Sequence, residues 1–266
     1  MIVVLLPAFN EEESLPILLP KIERFFAEEG GEGAIVVCDD GSTDRTALIL
    51  GAFRSSVRLE VITHKINRGL GEASRDLFER AAELLQDDDV IIRMDCDDTH
   101  DPSFMHLMRK KLDEGYDVVI ASRFQKGGGQ KGVSAYRAFV SRGANVFMKV
   151  LFPISGVQEY SCGFRAYRAG IIRQAVRIFG NNFIQLKGLG FTCTLEKLVK
   201  LRMLGARFAE VPFVLRYDRK LSASKMISSL TTVGYLTMAL LYHWPWGGWR
   251  FNPRYRTAAL ETRATR

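Results

Sequence analysis

The chain has 266 residues, room for one α/β domain of about 200–250 residues with a small appendage. Its 47% hydrophobic and 25% charged content excludes wholesale disorder. Of the formal charge of +7, +4 sits in residues 250–266, where Arg250, Arg254, Arg256, Arg263 and Arg266 face only Glu261; this excludes a uniformly basic nucleic-acid binder and suits an anionic membrane surface, with a solvated tail as the plain alternative.

The chain opens on an apolar run at residues 2–6, stopped by Pro7 and lacking the basic region and small-residue cleavage site of a signal peptide. Cys38, Cys96, Cys162 and Cys193 lie far apart with no CxxC pair, so reduced thiols and a cytoplasmic location are expected in place of structural zinc or disulfides. Further strand-like runs at 34–38, 58–63, 90–94 and 117–121 alternate with helical patterns near 13–29, 43–54, 71–86 and 102–114. The runs are continuously apolar, as burial on both sheet faces requires. A β-α-β-α series of this kind predicts a doubly wound, mostly parallel sheet whose ligands sit at the carboxyl ends of the strands.

Polar segments follow each run: Pro7-Ala8-Phe9-Asn10-Glu11, Asp39-Asp40-Gly41-Ser42, Asn67-Arg68-Gly69-Leu70-Gly71, Asp95-Cys96-Asp97 and Ser122-Arg123. Asp95 and Asp97, two apart at a strand end, would share one face if the backbone stayed extended. Two like charges there call for a cation, and hard oxygen ligands suit Mg²⁺ or Mn²⁺ bridging substrate phosphates. The competing reading makes these acids, with Asp98, Thr99 and Asp101, the cap and first turn of the next helix. In Asp39–Asp44, Ser42 or Thr43 can cap a helix and Gly41 permits a turn, while a further carboxylate could accept from a nucleobase or ribose. Gly69-Leu70-Gly71 lacks the third glycine of a dinucleotide fingerprint, since position 74 is Ser.

Beyond residue 124 come a glycine-rich stretch at 127–132, expected as a mobile loop, a helix near 135–152 and a strand–helix region to about 214. A basic segment at 216–225 precedes 24 residues, 226–249, without Asp, Glu, Lys or Arg. Several Ser and Thr dilute the apolar segment, and Trp244, Trp246 and Trp249 suit a headgroup interface, so a C-terminal membrane-associated helix lying at the interface is expected over a span.

Read together, LPAFNEEESL (6–15), VVCDDGSTDRT (36–46), NRGLGEA (67–73), IIRMDCDDTHDP (91–102), DVVIASRF (117–124), YRAFVSRGAN (136–145), SCGFRAYR (161–168), GFTCTLE (190–196) and EVPFVLRYDRKLSASK (210–225) resemble the family 2 glycosyltransferases, and among them the dolichol- and polyprenol-phosphate mannose synthases. The resemblance implies a GT-A nucleotide-sugar-binding fold over residues 1–225, followed by the apolar helix at 226–249 and the basic tail at 250–266. It implies an inverting, metal-dependent transfer of a hexose, mannose from GDP-mannose being favoured, to a polyprenyl or dolichyl phosphate at the cytoplasmic membrane face. It further implies that Pro7, Phe9, Glu11, Cys38 and Asp40 line the nucleoside pocket. Asp95, Cys96 and Asp97 would hold metal and diphosphate, with Asp95 and Asp97 the Mg²⁺ or Mn²⁺ ligands. Arg123, Arg219 and Lys225, counted with Asp97 as catalytic, would meet the diphosphate or acceptor phosphate; Arg123, Arg137 and Ser141 would seat the acceptor phosphate, and Glu196 would lie near the sugar. A small membrane subunit is a possible partner.

Phe9, Cys96, Glu159 and Ser222 stand where that family commonly has Tyr, Ala, Asp and Gly. His100, in the turn after Asp97, is expected to hydrogen-bond locally. The alternatives are a family 2 enzyme using UDP-glucose or another donor, with a lipid-phosphate or hydroxyl acceptor, and an inactive membrane-bound assembly subunit.

Overall fold

The structure, a computed structural model, describes residues 1–221 and 228–243. Five apolar runs form strands close to the expected positions: β1 (Ile2–Ala8), β2 (Gly33–Asp39), β3 (Arg58–Thr63), β4 (Val90–Arg93) and β5 (Val118–Ser122). Between them lie α1 (Leu15–Glu29), α2 (Thr46–Ala52), α3 (Leu70–Leu84) and, after a 3₁₀ turn at Pro102–Phe104, α4 (Met105–Asp113). Then follow β6 (Gly129–Lys131), α5 (Ala135–Leu151), β7 (Arg165–Arg168), α6 (Ala169–Phe179), α7 (Thr192–Met203), β8 (Phe208–Pro212), β9 (Val214–Arg216) and α8 (Ser228–His243).

The main sheet has seven strands in the order β3-β2-β1-β4-β7-β5-β8. All neighbours run parallel except β7, which is antiparallel to both β4 and β5. Alternate residues of each strand serve two cores. Val3, Leu5, Val36 and Ile91 pack with α3, α6 and α7. Val4, Leu6, Ile35 and Ile92 pack with α1 and α4 on the other face. Burial on both sides is why these strands read as unbroken Val, Ile and Leu.

Two expectations are corrected. The glycine-rich stretch is tied down: Gly129–Lys131 pairs in parallel with Val214–Arg216 in a second, two-stranded sheet. Helix α2 begins only at Thr46, whose N–H donates to Asp44 Oδ1 at 2.9 Å; Ser42 and Thr43 cap nothing because both bond the first loop instead. Asn10 N–H donates to Ser42 Oγ at 2.9 Å, and Thr43 N–H donates to Asn10 Oδ1 at 2.8 Å.

Helix α8 lies on α7. Its Met238 is fully buried, and Tyr235 and Tyr242 pack on the core. Val233, Leu236, Leu240 and Leu241 face outward. Among the described residues no helix is long and apolar enough to cross a membrane. Trp244, Trp246, Trp249 and the 250–266 tail lie outside the described residues.

Candidate active site

The loops after β1, β2, β4 and β5, and the turn before α3, meet at the carboxyl edge of the sheet. Gly41, at φ 71, lets the second loop pass against the backbone of Ile66 and Asn67, where a Cβ would collide. Asp40 then gathers the third loop: its carboxylate accepts the amides of Arg68 and Gly69, each at 2.8 Å, and faces His64 Nδ1 at 2.6 Å. Asp40 is thus committed to shaping the loop edge. Cys38 is fully buried, with Sγ 3.6 Å from His64 Nε2, and burial first, then Asp40, pushes its thiol up to about 12; it lies within β2, paired with both β1 and β3. Pro7 and Phe9 remain half-buried at the rim, and Glu11 is buried behind them with its N–H donated to Thr46 Oγ1 at 2.8 Å.

The strand carrying the acidic pair ends at Arg93, short of the expected Met94, and the chain turns through Asp98 at φ 57. The extended geometry assumed for Asp95 and Asp97 is therefore not what brings them to the site. Each carboxylate is placed by a separate set of partners. Asp95 Oδ1 lies 2.6 Å from Nη1 of Arg93, a guanidinium only 2% exposed; Gly163 leaves the room for it, since a Cβ there would collide with that group. Burial alone would raise the Asp95 carboxyl, but Arg93, then His100 and Lys220, hold it below the usual carboxylate range. Asp97 Oδ1 accepts from Thr99 Oγ1 at 2.6 Å, and its Oδ2 accepts from the ammonium of Lys220. His100 is local, as expected: its Nδ1 accepts from the Asp95 amide at 3.0 Å, and burial first lowers its pKa. Cys96 is buried, its thiol pushed up by burial and by Glu11, Asp95 and Asp97.

Both aspartates keep solvent contact, 26% for Asp95 and 14% for Asp97. Two hard carboxylates at a sheet edge, one already drawing an ammonium, fit a Mg²⁺ or Mn²⁺ ion that would take its remaining ligands from water and phosphate. Among the described residues no group of three or more His, Cys, Asp or Glu side chains is placed to hold a metal ion.

On the other side of the edge stands Arg123. Its Nε and Nη2 donate to Glu159 at 2.7 and 3.0 Å, and Nη2 also to Ser161 Oγ at 2.7 Å. Nη1 faces Ser141 Oγ at 3.5 Å and Gln130 Oε1 at 3.4 Å. Arg123 and Ser141, expected to share an acceptor phosphate, are brought together. Arg137, one turn earlier on α5, points instead to Tyr217, donating to its Oη at 2.9 Å. Arg219 donates to Asp101 Oδ2 at 3.0 Å, so it braces the turn after Asp97. Lys225 lies outside the described residues. Glu196 is buried as an anchor: its carboxylate accepts the amides of Gln185 and Leu186, both at 3.0 Å, and pairs with Lys200 at 2.7 Å.

Lys220, Arg93, Thr99 and Glu159 were not singled out as site residues by the sequence reading. Lys220 lay inside a matched segment beside Arg219, and Glu159 was noted only as a departure; their partners are 123 and 36 positions away.

Residues 3–175 match the family model described as Glycosyl transferase family 2. The chain is 30% identical over 211 residues to a dolichol-phosphate mannosyltransferase of Pyrococcus furiosus, covering 79% of this chain and 55% of that protein. It is 26% identical over 228 residues to a polyprenol monophosphomannose synthase of Mycolicibacterium smegmatis, covering 85% and 81%. It thus spans little more than half the length of the Pyrococcus protein. In fold it resembles glucosyl-3-phosphoglycerate synthase from Mycobacterium tuberculosis, solved with Mn²⁺, uridine diphosphate and phosphoglyceric acid, at TM-score 0.58 and 19% identity over 90% of this chain and 78% of that one. With its mostly parallel GT-A-like sheet and the acidic turn at its edge, the chain belongs to glycosyl transferase family 2.

Proposed function

We propose that this chain is an inverting glycosyltransferase that moves a hexose, mannose from GDP-mannose being favoured, onto a polyprenyl phosphate at a membrane surface. The observation that carries the lipid acceptor is the two-sided character of α5. Ser141, beside Arg123, lies on the same helix as Tyr136, Phe139, Val140, Val146, Phe147 and Val150, all exposed, with Phe139 at 77% and Val150 at 73%. Positions 136, 139, 140, 146, 147 and 150 recur at helical spacing and form one apolar stripe. A stripe of that length facing outward suits burial in a lipid headgroup boundary. Ser141 lies on the opposite face of the helix, with the buried Asn145 and Met148, where it meets Arg123. The two curated relatives, named for transfer to dolichol or polyprenol phosphate, support the same reading.

Asp95 and Asp97 would hold the Mg²⁺ or Mn²⁺ ion; bound there, it would neutralise charge on the departing diphosphate. Pro7, Phe9 and Glu11 stand where the nucleoside would pack, with the loop edge shaped by Asp40. Arg123, fixed by Glu159, would present Nη1 to the acceptor phosphate alongside Ser141. A phosphate monoester, with a second pKa of about 6, is already an oxyanion at neutral pH and needs no general base. One phosphate oxygen forms the new bond to the anomeric carbon as the bond to the diphosphate oxygen breaks, in line, inverting the anomeric centre.

The test incubates purified protein with polyprenyl phosphate, Mn²⁺ and a panel of radiolabelled nucleotide-sugars, GDP-mannose and UDP-glucose among them. Label from GDP-mannose should become lipid-extractable, and Asp97→Asn should abolish this while circular dichroism is unchanged. Label passing only to water-soluble hydroxyl acceptors would refute the lipid acceptor; near-normal turnover of Asp97→Asn would refute the metal role.

A further inference from the structure

The Asp97 carboxylate is already neutralised by a group of the chain itself. Lys220 follows the short 3₁₀ turn Tyr217–Arg219, and its ammonium donates to Asp97 Oδ2. The pair is largely shielded, with 12% of the lysine side chain and 14% of the aspartate exposed. The other oxygen of Asp97 is engaged by Thr99 Oγ1 at 2.6 Å. The backbone that presents the lysine is separately anchored: Arg216 N–H donates to Thr99 O at 3.0 Å, and Arg219 donates to Asp101. Withdrawing the lysine therefore requires rotation of a four-carbon side chain and leaves the strand and turn in place.

An ammonium and a divalent cation drawn to the same carboxylate oxygen repel each other strongly in a shielded site, so each weakens the other's hold on it. We propose that Lys220 is a tethered counter-cation that occupies Asp97 until a divalent ion displaces it, so that it sets a threshold for metal loading. The inference rests on the reading of Asp95 and Asp97 as metal ligands and adds a competitor built into the chain. Without metal, the ammonium of Lys220 neutralises Asp97; with metal, it is released to solvent at the site's mouth.

The test measures binding of Mn²⁺ alone to the full chain, by the loss of the free Mn²⁺ electron paramagnetic resonance signal. Lys220→Met should tighten Mn²⁺ binding about tenfold, a change of about 1.4 kcal/mol. Lys220→Arg, which keeps the charge, should not tighten it, and Asp97→Asn should lose it. Equal or weaker Mn²⁺ binding in Lys220→Met, with binding still lost in Asp97→Asn, would overturn the proposal and leave the metal reading intact. Wild-type protein that binds no Mn²⁺ would overturn both. A second measurement needs no variant: Mg²⁺ should raise acetylation of Lys220 by an amine-reactive ester, read by peptide mass spectrometry, with Lys21, paired to Asp98, as the internal reference. Unchanged labelling of Lys220 at saturating Mg²⁺ would refute its displacement.

Discussion

Replacing Glu159 by Gln should destabilise the fold severely, because Glu159 is fully buried and receives five hydrogen bonds. Two come from Arg123, at 2.7 and 3.0 Å; the others come from Ser161 N–H at 3.0 Å, Ser161 Oγ at 2.8 Å and Cys162 N–H at 3.0 Å. A glutamine removes the charge that balances Arg123, itself only 11% exposed, and turns an amide NH₂ toward other donors. Breaking a buried ion pair from one side costs about 3–5 kcal/mol, or roughly 6–20 °C of Tm for a domain of this size. The sign with pH follows from the carboxyl. Burial would raise it, but Arg123 and the Ser161 hydrogen bonds hold it below the usual range. Its contribution is therefore complete above the unfolded glutamate value of about 4.3 and is lost as pH falls through the folded value. Urea denaturation from pH 3 to 7 should show a shallower acid decline in Glu159→Gln than in wild type. Adding Arg123→Met to Glu159→Gln should recover part of the loss, since no unpaired guanidinium remains. A single-variant cost under about 1 kcal/mol would refute the buried-pair reasoning.

Lys197→Met tests the opposite imbalance. Lys197 is 2% exposed, with its ammonium 4.7 Å from the Phe78 ring centroid, and burial pushes its pKa down to about 7. An unfolded lysine titrates near ~10.4, so wild-type stability should rise as pH climbs from about 7 to 10. Lys197→Met should be more stable at pH 7 by roughly 1–4 kcal/mol and lack that slope; parallel urea-derived curves for the two proteins would contradict this. Phe139→Asp should leave the melting temperature unchanged, since the side chain is 77% exposed. It should weaken sedimentation with phosphatidylglycerol vesicles about tenfold, and unchanged sedimentation would count against α5 as the lipid-facing helix.

Strands β1, β2, β4 and β5 were legible because each is buried on both faces, and these four, with the edge strand β3, fell within a few residues of the predicted runs. Strand β7 was not. Arg165-Ala166-Tyr167-Arg168 reads as polar, yet Arg165 is fully buried and donates to the carbonyls of Thr194 at 2.6 Å and Tyr160 at 2.8 Å, partners that only the folded chain supplies. The sequence reading placed a helix near 135–152 without saying which side faces the core. The structure buries Asn145 and Met148 and leaves the aromatic stripe outside. At the site, motif spacing found Asp95 and Asp97. The cations that hold them differ in visibility: Arg93, the last residue of β4, is two residues from Asp95, whereas Lys220 arrives from the far end of the domain. Local chemistry can be read along a line; the pairing of distant charges needs the fold.

The antiparallel strand has a consequence for how the protein is made. Strands β4 and β5 are not neighbours: β7 fills the place between them, and its last residue, Arg168, is 46 positions beyond the end of β5 at Ser122. At a ribosomal rate of 5–20 residues per second, a nascent chain would wait about 2–9 s with the two strand edges that β7 fills still unpaired. Over that interval the emerging polypeptide is a client for chaperones, and pauses in translation between these points would lengthen its exposure to aggregation.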